Sequence, residues 1–298
     1  MPPIVYSRSY EVGLGDHVWP IAKYRLIARR LIDDRIVEAA SFVEPLLAPW
    51  DDLALVHTPS YLQKLRLGLL TPAEIRTLEL PWIPELVDGF RLMTGGTVRV
   101  TELSLGAGVA VHLGGGLHHA FPDHGEGFCM FNDVAVAIRR LQRDRRIQRA
   151  AVVDCDVHQG NGTAFIFAAD PSVFTCSIHQ QLNYPAWKPA SDLDVGLADG
   201  TGDDEYLSKL MGALARVIES GPQLVVYLAG SDPFRDDRLG GLALTHDGLR
   251  RRDRLVLEAA SRTGVPIAIV LAGGYAMNID DTVTAHVNTV IEAANVRA

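Results

Sequence analysis

Apolar residues along the chain follow two alternating patterns, short continuous runs and longer segments with helical spacing. Short apolar runs predict buried strands, and apolar residues that recur at helical spacing predict amphipathic helices. Strands are predicted at residues 3–6, 36–42, 109–113, 150–153, 173–178, 224–229 and 265–272. Helices are predicted at residues 17–32, 59–67, from about 85 past 97, 163–169, 203–220 and 245–263, and in the C-terminal tail.

Capping residues mark where several of these helices begin and end. Asn132 is predicted to cap a helix, Asp203 to cap the helix that Gly221 ends, and Gly264 to end the following one. The helix after Asn132 has one apolar face, formed by Val134, Ala137, Ile138 and Leu141. Because strands alternate with helices, we predict an α/β fold, a single-domain open parallel sheet with helices on both faces, over residues 1–298.

Composition narrows the class of protein. The chain has 298 residues, of which 48% are hydrophobic, and it lacks both repeats and the ~20-residue apolar run of a membrane helix. The N-terminus lacks the features of a signal peptide, so a cytoplasmic protein without a membrane span is expected. Three cysteines in apolar surroundings indicate reduced core thiols. The net charge of -8 disfavours nucleic acid and suits cationic substrates such as lysine side chains or polyamines.

Polar side chains with catalytic chemistry cluster where four predicted strands end. Asp154, Asp156 and His158 follow the strand at 150–153 at alternating positions, so they can share one face. The other three strand ends carry the pair His118 and His119, then Asp232, and then Gly273, Gly274 and Tyr275. Ligands of open parallel sheets bind outside the carboxyl ends of the strands, so this rim is the predicted active site.

Asp156, His158 and Asp232 are predicted to bind a catalytic metal, because three protein ligands leave one coordination position open. Two carboxylates weaken the metal as a Lewis acid, and Tyr275 can then supply a hydrogen bond to a developing oxyanion. The pair His118 and His119 suits a general base and its electrostatic partner.

Other side chains are predicted to support this set. Asp154 and Asn161 are the candidate hydrogen-bond acceptors that orient His118 and His119. The remaining histidines of interest are expected in loops or the core, with His17 also a candidate neighbour of the site; they are His17, His57, His124 and His179.

Five motifs, in this order, resemble those of the histone deacetylase family, which has an arginase-like α/β fold. They are GGGLHHA (114–120), GFCMFND (127–133), VVDCDVHQGNG (152–162), AGSDPFRDDRLGGLALT (229–245) and LAGGYA (271–276). The HQGNG sequence at 158–162 and the LPWIP sequence at 80–84 look most like those of class IV deacetylases and their bacterial relatives. The resemblance implies zinc at Asp156, His158 and Asp232, with ferrous iron as an alternative.

The resemblance also assigns roles to further residues. Phe128 would line an acyl-lysine tunnel, and the carbonyl of Gly127 would accept the substrate amide. A structural potassium ion would be bound by Asp154, Ser177 and the backbone carbonyls of Asp156, His158 and Ile178.

The chain departs from the class I pattern at three places. Asn161 replaces an aspartate behind the second histidine, so His119 is expected to be less basic than in class I. The second aromatic wall of the tunnel has three candidates, Asn183, Tyr184 and Trp187, and the first-helix arginine has two, Lys23 and Arg25.

These observations predict a metal-dependent amidohydrolase that removes an acetyl or longer fatty acyl group from the ε-amine of lysine in proteins or peptides. Three alternatives stay open: hydrolysis of acetylpolyamine or another small-molecule amide, a binuclear manganese ureohydrolase of the same fold, and a catalytically inactive acyl-lysine-binding protein. The native metal, the acyl-chain length and the oligomeric state are left open by the motifs.

Overall fold

Eight strands form one open sheet in the structure of the chain, a computed structural model that describes residues 1–296. The strands are β1 (Ile4–Val5), β2 (Phe42–Val43), β3 (Val109–His112), β4 (Ala150–Asp154), β5 (Val173–Gln180), β6 (Leu193–Leu197), β7 (Val225–Leu228) and β8 (Ile267–Val270). Their order across the sheet is β2-β1-β3-β8-β7-β4-β5-β6. All neighbouring strands are parallel, as predicted.

Helices cover both faces of the sheet. They are α1 (Lys23–Asp33), α2 (Trp50–Leu53), α3 (Pro59–Leu67), α4 (Pro72–Leu78), α5 (Pro84–Ala107), α6 (Asp133–Arg143), α7 (Asn161–Phe167), α8 (Asp203–Glu219), α9 (His246–Thr263) and α10 (Ile279–Asn295). Helix α5 packs against α6, whereas α1, α10, α9 and α8 contact one another in that sequence. Within residues 1–296, no helix combines the length and apolar character needed to span a membrane.

Alternate residues of the central strands belong to two separate hydrophobic cores. Val152 packs in one core with Ile138 of α6, and its neighbour Val153 packs in the other with Leu210 of α8. Side chains on a strand point alternately to the two faces, so a continuous apolar run serves both layers. The covered parallel sheet predicted from such runs is confirmed.

The predicted strand at 36–42 is wrong over most of its length. Only Phe42 and Val43 pair with β1. The backbone N–H groups of Ile36 and Val37 both donate to Leu31 O and so end α1, and Arg35 has a positive φ of 57°. The beginning of this segment therefore serves as the C-terminal cap of α1 through its backbone, not as a strand.

Three other element predictions need correction. Helix α1 begins at Lys23 rather than at residue 17. Helix α4 and the edge strand β6 were not predicted. The side chains of Thr71 and Glu74 form a capping box at the start of α4, which is a sequence signal for that helix.

One predicted helix cap is confirmed and another is not. Asn132 Oδ1 accepts a hydrogen bond from Ala135 N at 2.9 Å, as a cap of α6 should. Asp203 is the first residue of α8, but its carboxylate accepts hydrogen bonds from the backbone and hydroxyl of Thr245 at 2.9 and 2.7 Å. Asp203 therefore holds the beginning of α9.

Candidate active site

The carboxyl ends of β3, β4, β7 and β8 bring the predicted site residues together at one rim of the sheet. A cavity of about 200 Å³ opens there and is lined by both histidines of the 118–119 pair. Its other lining residues include Asp156, His158, Gly127, Phe128, Gly273 and Tyr275. Parallel neighbours end at the same edge, so residues distant in sequence converge on it.

Asp156, His158 and Asp232 form a buried cluster whose ligand-type atoms lie within 4.8 Å of one another. His158 Nδ1 is 3.0 Å from Asp156 Oδ1 and 3.6 Å from Asp232 Oδ2. Among the described residues, no group hydrogen-bonds to Asp232 Oδ2, although the atom is buried. A buried carboxylate oxygen without a partner is costly, and a bound cation would satisfy it. The cluster therefore fits a divalent metal.

Backbone N–H groups hold the two carboxylates in place. Gly273 N donates to Asp156 Oδ2 at 2.8 Å, and Val157 N donates to Asp232 Oδ1 at 2.9 Å. A Cβ at position 273 would lie 2.0 Å from Asp232 Oδ2. The close approach of the backbone at the end of β8 thus requires glycine.

The electrostatics of the cluster reflect two carboxylates in a buried space. Burial and the nearby charge of Asp156 raise the pKa of Asp232 to about 7. Burial alone would lower the pKa of His158, but its interactions with Asp156 and Asp232 outweigh this effect and raise it to about 10. The cluster therefore attracts positive charge strongly.

His118 and His119 are each oriented by a different partner, and these partners are the two predicted ones. His118 Nδ1 lies 2.6 Å from Asp154 Oδ2, and His119 Nδ1 lies 2.7 Å from Asn161 Oδ1. The centroids of the two imidazole rings are 4.0 Å apart. A regular strand could not place adjacent side chains in this way, so the turn between β3 and α6 is essential.

Asp133, the first residue of α6, anchors that turn. Its buried carboxylate accepts hydrogen bonds from Gly116 N at 2.9 Å and Leu117 N at 2.7 Å, immediately before the histidine pair. Asp133 was not among the predicted site residues, although it ends the GFCMFND motif and follows the helix cap Asn132.

The two histidines differ in basicity. Burial lowers the pKa of His119 well below its ordinary value, and the positive charges of His118 and His158 add to the effect. For His118, the charges of Asp154 and Asp156 outweigh burial and raise the pKa to about 9. The low basicity expected for His119 thus has burial as its main cause.

Phe128 and Tyr184 are among the aromatic residues that line the cavity. The ring centroid of Tyr184 is 5.0 Å from that of His119, and Phe128 lies 6.2 Å from Tyr275. Of the three candidates for the second wall, Tyr184 and Asn183 line the cavity. Trp187 instead stacks on Phe121, at 5.7 Å. Tyr184 is therefore the aromatic candidate that lines the cavity.

Lys23 is the basic residue of α1 that approaches the site. It is fully buried, and its Nζ donates to Ala272 O at 2.8 Å, just before Gly273. Burial lowers its pKa to about 8. The other candidate, Arg25, instead pairs with Glu11 at the surface.

Of the four other histidines, His17 lies nearest to the site. Its ring packs against that of Phe128, with centroids 4.9 Å apart. His57 is buried and bonded to backbone groups, whereas His124 is near Asp123 at the surface. His179 Nδ1 lies 3.0 Å from Ser177 Oγ.

Two of the proposed potassium ligands, Asp154 at the end of β4 and Ser177 within β5, are neighbours in the sheet. Asp154 and Ser177 are paired in the register of these strands. Asp154 is shared with the catalytic set, because Oδ2 faces His118 and Oδ1 accepts from Asp156 N at 3.1 Å.

Gly127 and Phe128 have positive φ angles of 51° and 64°. Their N–H groups donate to Thr77 O and Leu78 O at 3.2 and 3.0 Å, at the end of α4. Helix α4 thus supports the loop that presents Phe128 to the cavity, and Glu79, just after the helix, also lines it.

Comparison with known proteins places the chain among relatives along nearly all its length. The model of the histone deacetylase domain matches residues 17–290. An uncharacterized protein of Picosynechococcus sp. is 44% identical, covering 95% of each chain. Histone deacetylase 2 of Arabidopsis thaliana is 32% identical, covering 91% of this chain and 74% of that one. The crystal structure of the HDA15 HD domain superposes with a TM-score of 0.78 at 22% identity, covering 98% and 90% of the respective chains.

Proposed function

The chain belongs to the histone deacetylase family, and from this premise we propose that it hydrolyses the amide bond between an acyl group and a primary amine, foremost the ε-amine of lysine. One observation carries the proposal. Asp156 and His158 line the same cavity as His118, His119 and Tyr275, and Asp232 completes a buried cluster with these two residues. This set suffices for metal-assisted hydrolysis of an amide.

Asp156, His158 and Asp232 would hold the metal, for which we propose zinc, with ferrous iron as the alternative that this ligand set also suits. A divalent metal in this position supplies Lewis acidity toward a carbonyl oxygen and lowers the pKa of water. The unpartnered Asp232 Oδ2 supports its presence.

His119 is the proposed general base. Its Nδ1 lies 2.7 Å from Asn161 Oδ1, an acceptor, so Nδ1 carries the proton and Nε2 has a free lone pair. His119 takes a proton from water through Nε2 as the water oxygen attacks the amide carbon, and a tetrahedral intermediate forms. His118, held by Asp154, contributes electrostatically.

Tyr275 is the proposed hydrogen-bond donor to the oxyanion of that intermediate. Burial and the charges of Asp156 and Asp232 raise the pKa of its phenol well above the ordinary value, so the hydroxyl keeps its proton. Collapse of the intermediate breaks the carbon–nitrogen bond, and the histidine pair returns a proton to the departing amine.

Phe128 and Tyr184 would flank the alkyl part of the acyl-lysine side chain, and the Gly127 carbonyl would accept the substrate N–H. The acyl group that we propose is acetyl or a longer fatty acyl chain, and the likeness to class IV deacetylases is compatible with the longer chains. The potassium ion proposed at Asp154 and Ser177 would be structural, bound away from the reacting amide.

Acetylpolyamines are the second candidate substrates. Glu79 lines the cavity and is exposed, so its carboxylate can attract a cationic amine at the mouth. A binding protein without catalysis is disfavoured, because a residue of the required type stands at each proposed catalytic position.

The test is release of free amine from lysine peptides that carry acetyl, octanoyl or myristoyl groups, with acetylspermidine as a separate arm. The zinc-loaded protein is compared with Asp232→Ala and with the nearly isosteric Asp232→Asn, after metal content and folding are measured for each. We expect turnover by the wild type on at least one lysine peptide and none by either variant. Turnover of acetylspermidine alone would favour the second candidate. Absence of all turnover with zinc and with ferrous iron would refute hydrolysis.

A further inference from the structure

Glu126 lies at the outer end of a chain of hydrogen bonds that begins at His119. His119 Nδ1 is 2.7 Å from Asn161 Oδ1, and Asn161 Nδ2 donates to Glu126 Oε1 at 2.7 Å. The hydroxyl of Tyr184 donates to the same Oε1 at 2.8 Å. One carboxylate thus contacts both the partner of the general base and the aromatic wall of the cavity.

The carboxylate determines how the Asn161 amide is oriented. An ionised carboxylate can only accept hydrogen bonds, so it selects the NH₂ side of an amide. The amide oxygen of Asn161 must then face His119, which places the proton of the imidazole on Nδ1. Without Glu126, a flipped Asn161 could present NH₂ to His119 and move that proton to Nε2, the nitrogen that must be free.

The surroundings of Glu126 keep it ionised although it is half-buried. Burial favours the neutral acid, but hydrogen bonds from His124, Asn161 and Tyr184 outweigh it and leave the pKa below the ordinary value. His124 Nε2 lies 3.5 Å from Glu126 Oε2. Asn161 replaces the aspartate of class I and is itself neutral. The negative charge lies instead on Glu126, the next residue in the hydrogen-bond chain from His119.

We propose that Glu126 is a positioning residue that fixes the tautomer of His119 through Asn161. The inference rests on the proposed function, because it takes His119 as the general base. Glu126 also anchors the Tyr184 hydroxyl, so the same carboxylate couples the wall of the cavity to the base.

This role is tested by a double variant, Glu126→Gln with Asn161→Asp, which exchanges the positions of the carboxylate and the amide. Glu126→Gln is expected to lower kcat about tenfold or more, the range seen when partners of active-site ligands are lost. Asn161→Asp alone should also lower kcat, because it puts two carboxylates about 2.7 Å apart. The double variant should recover most of the loss, since the carboxylate that then faces His119 is supported by an amide at position 126. Recovery is not expected from a residue that only supports the fold.

Two single variants serve as controls. Glu205→Gln removes an exposed carboxylate of α8 that pairs with Lys209 and does not line the cavity, so it should leave kcat unchanged. Tyr184→Phe removes only the second hydrogen bond of Glu126 and should raise KM more than it lowers kcat. If Glu126→Gln lowers kcat and the double variant does not recover, the positioning role is wrong.

A readout independent of activity separates this proposal from the proposed function. The ring ¹⁵N shifts of His119 in the zinc-bound protein, assigned by their absence in His119→Gln, report which nitrogen carries the proton. We expect Nδ1–H in the wild type, a mixture of tautomers in Glu126→Gln, and Nδ1–H again in the double variant. An unchanged tautomer in Glu126→Gln would overturn the inference even in an active enzyme. If the tautomers change as expected but the protein hydrolyses no amide, the positioning role of Glu126 is upheld and the proposed function is rejected.

Discussion

Tyr275 contributes one group, its phenolic hydroxyl, to the proposed reaction. It lines the cavity beside Asp156, and Gly273 and Gly274 lead the chain to it from β8. Its raised pKa keeps the hydroxyl a donor across the neutral range. In the proposed reaction the residue would act through a hydrogen bond that strengthens as negative charge develops.

Tyr275→Phe is expected to lower kcat by ~10²-fold or more, as when a single oxyanion donor is removed from other hydrolases. Metal content should be unchanged, because the tyrosine is not among the proposed metal ligands. Steady-state kinetics on the best acyl-lysine peptide, with metal analysis of the same samples, provides the measurement. A variant that turns over as fast as the wild type would exclude Tyr275 from the chemistry.

Site residues could be predicted from the sequence where they lie together in a short motif. They could not be predicted where only a contact between distant parts of the chain brings them to the site. Asp154, Asp156 and His158 alternate directly after a strand, so their shared location follows from strand geometry. Glu126 is 35 residues from Asn161 and 58 from Tyr184, and it sits in a loop with no periodic signal. Its contacts exist only because the fold brings two loops and the beginning of α7 together.

Arg252 of α9 contacts the two backbone segments that carry the candidate metal ligands Asp156 and Asp232. The guanidinium is fully buried, and Nη1 donates to Gly230 O at 2.5 Å and lies 3.4 Å from Cys155 O. These carbonyls belong to the segments that carry Asp232 and Asp156. Arg252 Nε also donates to Asp253 at 2.9 Å, so the charge is paired.

Arg252→Met is therefore expected to lower the free energy of unfolding by about 3 kcal/mol or more, as for the loss of one partner of a buried ion pair. It should also weaken zinc binding, because both ligand segments lose a shared support. Urea unfolding and competition with a zinc chelator measure the two effects. Arg254→Met is the matched control: its side chain is 53% exposed and pairs with Glu292, so a loss within about 1 kcal/mol is expected. Equal losses in both variants would contradict the supporting role.

His57 joins the segment before α3 to the residues that flank the histidine pair. Its Nδ1 donates to Phe121 O at 3.0 Å, and its Nε2 accepts from Asn132 N at 3.1 Å. Burial lowers its pKa to about 4. The neutral ring is thus built into the fold.

Because the pKa of His57 is lower in the folded state, its contribution to stability is complete above about pH 6.5 and is lost as the pH falls toward 4. The unfolded chain binds a proton in this range, which corresponds to up to about 3 kcal/mol. His57→Gln should be less stable than the wild type at pH 7.5 and should lose less stability between pH 6.5 and 4. Urea unfolding at several pH values compares the two slopes. Parallel slopes would mean that His57 titrates alike in both states.

Elements with strong periodicity could be predicted, and short elements at the edge of the sheet could not. The apolar runs that became β4, β7 and β8 lie in the middle of the sheet and are buried on both faces. Strand β6 is an edge strand whose residues Leu193–Leu197 are mostly half-buried, so its sequence carries a weaker apolar signal. In the 36–42 segment, tertiary packing at the end of α1 prevailed over a β-like sequence.

On the scale of the whole molecule, the fold and the proposed metal depend on each other. The family's sheet places Asp156 and Asp232 at the ends of two paired strands, β4 and β7, and buries both carboxylates. Burial, together with the nearby charge of Asp156, raises the pKa of Asp232, so the ionised pair is a cost to the metal-free fold. A bound dication offsets this cost.

Amide side chains, Asn161 and Gln159, follow His158 at positions where a second metal would need acidic or imidazole ligands. Asn161 is engaged by His119 and Glu126, and Gln159 Nε2 donates to Pro189 O at 2.7 Å. A binuclear ureohydrolase would need further acidic or imidazole ligands in these positions. The polar neighbours of the cluster thus support one ion rather than two.

Removal of the metal is expected to lower the unfolding temperature, and its return should restore it. A ligand that binds only the folded state adds about 4 kcal/mol at a free concentration a thousand times its Kd. Calorimetry of the chelator-treated protein, before and after one equivalent of zinc, measures the change, and elemental analysis should find about one metal per chain. Asp232→Asn is the control, since it should bind zinc weakly and show little response. A ratio of two metals per chain would favour the binuclear alternative, and an unfolding temperature indifferent to zinc would mean that the cluster of Asp156, His158 and Asp232 is not its site.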